Sequence, residues 1–148
     1  MKEFVDIEIN GTHLRYDESD PIAVNISGNH YIDGDIHKIT YVEETQGFDE
    51  IILNTIIVEK NRVEIIKEGV VNSKMVFANN SRYKTIYDTP FGRLDMETET
   101  KLLLIDMSED EINVYVEYIL YIEGDRASNS KMRIHIVEAV DRVDNKGG

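Results

Sequence analysis

The sequence predicts an all-β protein: a single antiparallel up-and-down β-barrel, lipocalin-like (calycin), of about 8–10 strands. Three observations predict it. Apolar and polar residues alternate with a period of two along most of the chain, tight-turn signals recur at short intervals, and no stretch carries a helical period. The clearest stretch is 67–104, KEGVVNSKMVFANNSRYKTIYDTPFGRLDMETETKLLL, which reads as three strands joined by two turns. A meander of this kind avoids open edges best by closing on itself.

The elements follow in order. Residues 2–15 form a first strand in which Val5, Ile7 and Ile9 alternate with Asp6, Glu8 and Asn10, and 17–21 form an acidic loop. Residues 22–32 and 36–44 form a hairpin about Asp33-Gly34, a strong two-residue turn signal. Gln46-Gly47 marks the next connection. Residues 50–58 are apolar on both faces, with Ile52, Ile56 and Val58 candidates for the outer one. In the strand over 62–68, Val63, Ile65 and Lys67 point inward.

A three-residue loop at Asn79-Asn80-Ser81 sets Ser73, Met75 and Phe77 opposite Tyr87, Thr85 and Tyr83, because a two-residue loop would expose Met75 and Phe77. The turn Thr89-Pro90-Phe91-Gly92 has proline second and glycine fourth, so Asp88 faces Arg93, Tyr87 faces Leu94, Thr85 faces Met96 and Tyr83 faces Thr98. The inner face then continues through Thr100, Leu102 and Leu104, while Arg82, Lys84, Asp95, Glu97, Glu99 and Lys101 face solvent. After a turn at 108–110, Ile112, Val114, Val116, Tyr118 and Leu120 share the inner face. Glu123-Gly124-Asp125 leads into a last strand with Met132, Ile134 and Ile136 inward. The barrel domain spans 1–137, and 138–148 is a polar tail that frays or forms a short helical turn.

Composition bounds the function. The chain has 148 residues, enough for one domain with its own core. It lacks cysteine, which excludes disulfides, thiol catalysis and thiolate metal sites. A net charge of −13, with basic residues interspersed among acids, argues against a nucleic-acid partner. No apolar run approaches the length needed to cross a bilayer, and the first ten residues alternate where a signal peptide would be continuously apolar. The expectation is a cytoplasmic protein without a membrane partner.

Several segments together resemble a known family: Tyr41-Val42-Glu43-Glu44, Gly69 followed by Ser73-Lys74-Met75-Val76-Phe77, Tyr87 to Gly92, Thr100 and Tyr118. In order and spacing over 2–137 they are similar to the YwiB-like bacterial domain-of-unknown-function family. The resemblance implies a calycin or lipocalin-like barrel and brings no activity, cofactor or catalytic residue. Two residues before the loop glycine the family pattern has arginine and this chain has Lys67, which keeps the charge but loses the bidentate fork.

The candidate binding set is polar and inward: Lys67, Ser73, Thr85, Tyr87, Thr89, Thr98, Thr100 and Tyr118, joined by Tyr41 and Glu43 if their face is also inward. Buried hydroxyls need partners, so this set fits either a partly hydrated pocket with its mouth at the Gly69 and Pro90 turns, or a hydrogen-bonded core with Lys67 reaching the rim. In the pocket reading Lys67 anchors an anion and Tyr87 donates, and Glu43 is the natural ion-pair partner of Lys67.

His30 and His37 fall opposite each other about an Asp33-Gly34 turn, about 5 Å apart at Cβ. That makes them a candidate metal pair, though an exposed hairpin pair is the plainer reading. His13 and His135 have no companions, and Asp33-Gly34-Asp35 and Ser108-Glu109-Asp110-Glu111 are turns, not calcium loops.

The leading function is a non-catalytic barrel holding a small amphipathic or anionic molecule, without a cofactor. The alternatives are a filled barrel that works as a structural or regulatory interaction module, and an enzyme with Glu43 as base and Tyr87 as acid. Outward Tyr115, Ile119 and Tyr121 add a homodimer as an expected partner.

Overall fold

In a computed structural model, residues 1–12, 21–44 and 50–139 are described. They form ten strands and no helix: β1 (Phe4–Thr12), β2 (Pro21–Asp33), β3 (Ile36–Glu44), β4 (Ile51–Val58), β5 (Val63–Gly69), β6 (Ser73–Phe77), β7 (Arg82–Thr89), β8 (Gly92–Met107), β9 (Glu111–Ile122) and β10 (Asp125–Glu138). All pairings are antiparallel, in the order β6-β5-β4-β3-β2-β1-β10-β9-β8-β7. The sheet curls into a nearly closed barrel. Because successive strands reverse direction, one rim gathers the turns at 69–72, 89–92 and 122–125, and the opposite end gathers those at 34–35, 59–62, 78–81 and 108–110.

The two-residue period decides what fills the barrel. On β9, Ile112, Val114, Val116, Tyr118 and Leu120 are all buried, and Ile134 and Ile136 join them from β10. Val5, Ile7, Ile39, Ile56, Val63 and Phe77 complete a continuous core. Each such side chain contributes about 1.5–3 kcal/mol on leaving water. The hairpin registers read from sequence hold, with Asp88 opposite Arg93, Tyr83 opposite Thr98, Val63 opposite Phe77 and Lys67 opposite Ser73. Thr89 closes the β7–β8 turn, accepting from the Phe91 amide and donating to the Gly92 carbonyl.

Four expectations need correction. The β2–β3 turn is Gly34-Asp35, one residue later than expected, so His37 stands opposite Ile32 and His30 opposite Ile39. Glycine supplies the positive φ of 62° there. On β4, Ile52, Ile56 and Val58 face inward, and it is Ile51 and Leu53 that face out. A bulge between Thr100 and Leu102 adds one residue to β8 and reverses the alternation beyond it. Leu103 is therefore buried and Leu104 exposed, the reverse of the expected phase.

Finally, β6 and β7 do not pair along their length. One bridge, Asn72 with Asp88, holds them at the rim. The chain at 78–81 then crosses toward β8, where the Asn79 side chain accepts from the Leu103 amide at 2.8 Å and donates to its carbonyl at 3.2 Å. Ser81 accepts from the Thr100 amide. The seam of the barrel thus lies at mid-sequence, while β1 and β10 are joined by a full ladder.

The first strand was expected to reach residue 15, and 13–15 and the 17–20 part of the acidic loop lie outside the described residues, as do Gln46-Gly47 and the tail from 140.

Candidate functional site

At the rim, β3, β4 and β5 lie side by side and their register aligns three inward polar residues. Asn54 pairs with Tyr41 on β3 and with Lys67 on β5, and Glu43 stands two residues along β3. Their side chains meet. Lys67 Nζ donates to Glu43 Oε1 at 3.0 Å and to Asn54 Oδ1 at 2.8 Å, and Asn54 Nδ2 donates to the same Glu43 oxygen at 3.0 Å. Asn54 is fully buried, whereas the Lys67 and Glu43 side chains keep 31% and 44% of their exposure. The cluster therefore has a dry floor and a wet top.

Electrostatics follow from that position. Burial alone would raise the Glu43 carboxyl, but the bonds from Lys67 and Asn54 and the ammonium charge hold it below the ordinary carboxylate value. Burial pushes the Tyr41 hydroxyl up to about 12, and the Glu43 charge adds to it. Tyr87 rises for the same two reasons, so both hydroxyls stay protonated and both sense Glu43. Neither has a hydrogen bond with another described residue. The β5–β6 turn is held above the cluster by Asn72, whose side chain donates to the Gly69 carbonyl and accepts from its amide. At Gly69 φ is 141° and a Cβ would collide with the Ile51 carbonyl, so glycine is required.

The structure divides the ten sequence-predicted residues. Tyr41, Glu43, Lys67 and Tyr87 belong to the rim group, with Ser73 half-buried opposite Lys67 and Thr85 half-buried two residues below Tyr87. Thr98, Thr100 and Tyr118 lie deep in the barrel, 1%, 1% and 4% exposed. Thr98 reaches the Val76 carbonyl, Tyr118 packs its ring on Phe77, and the Thr100 hydroxyl has no partner. Thr89 serves its own turn. Asn54 is the residue that sequence reasoning missed. The signal was available: with Val63 and Lys67 inward, the β4–β5 hairpin carries Val58 and hence Asn54 to the same face.

The histidines behave differently from expectation. His30 is buried, 4% exposed, and stacks on His37 with ring centroids 5.1 Å apart and a 2.9 Å Nε2 to Nδ1 hydrogen bond, so the pair is not simply exposed. Burial, the neighbouring imidazole and the N-terminal charge lower His30 despite bonds to the Met1 and Lys2 backbone, and burial and the N-terminal charge lower His37 against the pull of Asp35. Among the described residues no three His, Asp or Glu side chains gather to hold a metal. His135 does have a companion, Glu111, at 2.6 Å. His13 lies outside the described residues.

Two hollows of about 460 and 440 Å³ lie on the outer wall, one over Asp6, Asn25 and His135 and one over Lys84, Glu97 and Tyr121. Neither takes in the rim cluster. No helix among the described residues is long and apolar enough to cross a membrane.

A family model described as a domain of unknown function (DUF1934) matches residues 7–134. The chain belongs to that family. A crystal structure of the ywiB protein from Bacillus subtilis is similar over 93% of this chain and 91% of that one, with a TM-score of 0.73 and 17% sequence identity. That likeness carries the barrel fold that the sequence resemblance implied. A comparison with curated proteins finds no match.

Proposed function

We propose that the chain is a non-catalytic binding module that holds a small polar or amphipathic molecule at the barrel rim, in the cytoplasm. The observation that supports this reading is the rim cluster itself: a half-exposed ion pair over a buried asparagine, with the two hydroxyls of Tyr41 and Tyr87 free of protein partners. Three polar groups on an apolar wall can fix a ligand's orientation, which is how small-molecule sites gain specificity.

The ion pair also narrows the ligand. Glu43 already neutralises Lys67, so a neutral or zwitterionic group carrying both donors and acceptors suits the site better than a simple anion. The closed core below, with Ile39, Ile56 and Phe77 fully buried, favours a ligand seated at the mouth over one swallowed by the barrel. The same packed interior favours the second reading, an interaction module with a filled barrel. Catalysis fits less well: Glu43 is held low and Tyr87 high, which makes one a weak base and the other a weak acid near neutral pH.

Native mass spectrometry of gently purified protein tests the proposal. The expected result is an added mass that leaves on denaturation and is lost in Tyr41→Phe/Tyr87→Phe, a variant that removes only two hydroxyls. A ligand retained equally by that variant sinks the rim assignment. A ligand-free mass, with no thermal shift from neutral sugars, amides or amino acids, sinks the binding function.

A further inference from the structure

The aromatic patch expected to carry a homodimer does not exist as a patch. Arg133 covers the Tyr115 ring, Arg82 covers Tyr121, both hydroxyls are bonded to glutamates, and Ile119 is buried. Exposed apolar surface has gathered elsewhere. Of the ten large apolar side chains that remain exposed, Phe4, Tyr31, Val42, Ile51 and Leu53 all lie on the outer wall of β1–β4.

The register orders this wall along the strands. On β3 the outward series runs from Lys38 at the end away from the rim, through Val42, to Glu44 at the rim. On β4, beside it, Ile57 is opposite Lys38, Leu53 opposite Val42 and Ile51 opposite Glu44. The wall therefore carries a cation at one end, a carboxylate at the other and apolar side chains between them. Neither Lys38 nor Glu44 has an ion-pair partner among the described residues.

We infer that this wall is the interface of a symmetric homodimer, formed by two copies stacked face to face with β3 and β4 running opposite to their counterparts. The occupant is a second copy because the wall is complementary to itself. A two-fold axis across the strands sets Lys38 of each copy over Glu44 of the other and Ile57 over Ile51, with Val42 and Leu53 at the centre, and every contact occurs twice. Two twisted sheets stack in this way about 10 Å apart and within about 30° of alignment. The net charge of −13 per chain does not forbid it, since charges beyond about 8 Å are screened at physiological salt and the local pairs dominate. The wall measures roughly 20 by 20 Å, the small end of stable interfaces, so the expected dissociation constant is on the order of micromolar.

Sedimentation equilibrium on the full chain, up to about 100 μM, tests this. The expected mass is twice the 17.1 kDa chain. Leu53→Glu, an outward substitution that leaves the core untouched, is expected to give monomer with an unchanged thermal melt. Lys38→Glu and Glu44→Lys should each weaken the dimer by about tenfold or more, because each sets like charges together twice. The double swap Lys38→Glu/Glu44→Lys should bring the constant back to within about threefold of the starting one. A monomer at all concentrations overturns the inference, as does a dimer that Leu53→Glu leaves intact. So does a pair of single charge reversals with no effect, or one that the double swap fails to rescue.

Discussion

Asn54 is the residue on which the rim chemistry depends. It is fully buried, and it holds Lys67 with its carbonyl and Glu43 with its amide, so both ends of its side chain are used. Replacing it with Leu leaves each charged neighbour one hydrogen bond short beside an apolar group. The expected loss is about 1–3 kcal/mol in urea unfolding, against nearly nothing for a surface Asn→Leu change. Lys67→Met acts on the same cluster through charge: without the ammonium, burial becomes the main influence on Glu43. Its carboxyl should then titrate above the ordinary carboxylate value instead of below it, read by NMR of the side-chain carbon.

The histidine pair supplies a pH dependence. His30 and His37 are both lowered from 6.5, with the N-terminal amine and Asp35 as their charged neighbours. The unfolded chain then binds protons more readily than the folded one. Their contribution is complete above about 6.5 and is lost as pH falls below it. Urea midpoints at pH 7.5, 6.5 and 5.5 should fall in that order, and the fall near 6 should shrink in His37→Ala.

Among the elements, β8 and the β6–β7 junction show where pattern reading stops. Hairpin registers were legible because each turn has its own chemistry, such as Pro90 and Gly92, and a period of two does the rest. The bulge was not legible. Leu102, Leu103, Leu104 and Ile105 are apolar in succession, so either phase of alternation looks equally good, and nothing in the residues marks Lys101 as the extra one. A pair of substitutions reads the phase directly. Leu103→Ala should cost about 2–5 kcal/mol, while Leu104→Ala should stay within about 0.5 kcal/mol. The seam escaped for another reason: Asn79 looks like an ordinary turn residue, yet its amide stands in for a strand at the Leu103 backbone. Pairing β6 with β7 was the natural inference from a short loop. What opposes it is the crossing of that loop to β8, a long-range contact that no local pattern carries.

Across the whole molecule, alternation, turn spacing and the lack of helical period were enough to predict a closed antiparallel barrel. They could not say which junction stays open, since closure depends on strand tilt and register summed around all ten strands. That junction sets the last prediction. β1 and β10 are joined by a continuous ladder, and the chain near both ends is tied together by Lys2 N to Glu138 and by Ala139 N to the Phe4 carbonyl. A short Gly/Ser linker from the C-terminus to residue 1 is therefore sterically free. Cutting instead between Asn80 and Ser81 places new ends at the seam and costs little beyond two turn bonds from Ser81 to the Ala78 carbonyl. Such a permutant begins at β7 and ends at β6, so its sequence order and its sheet order coincide. It should fold with the same far-UV spectrum and lose no more than about 2 kcal/mol in urea. If it fails to fold, the 78–81 crossing is holding the barrel shut, and the β6–β7 junction is a closure as binding as the β1–β10 ladder.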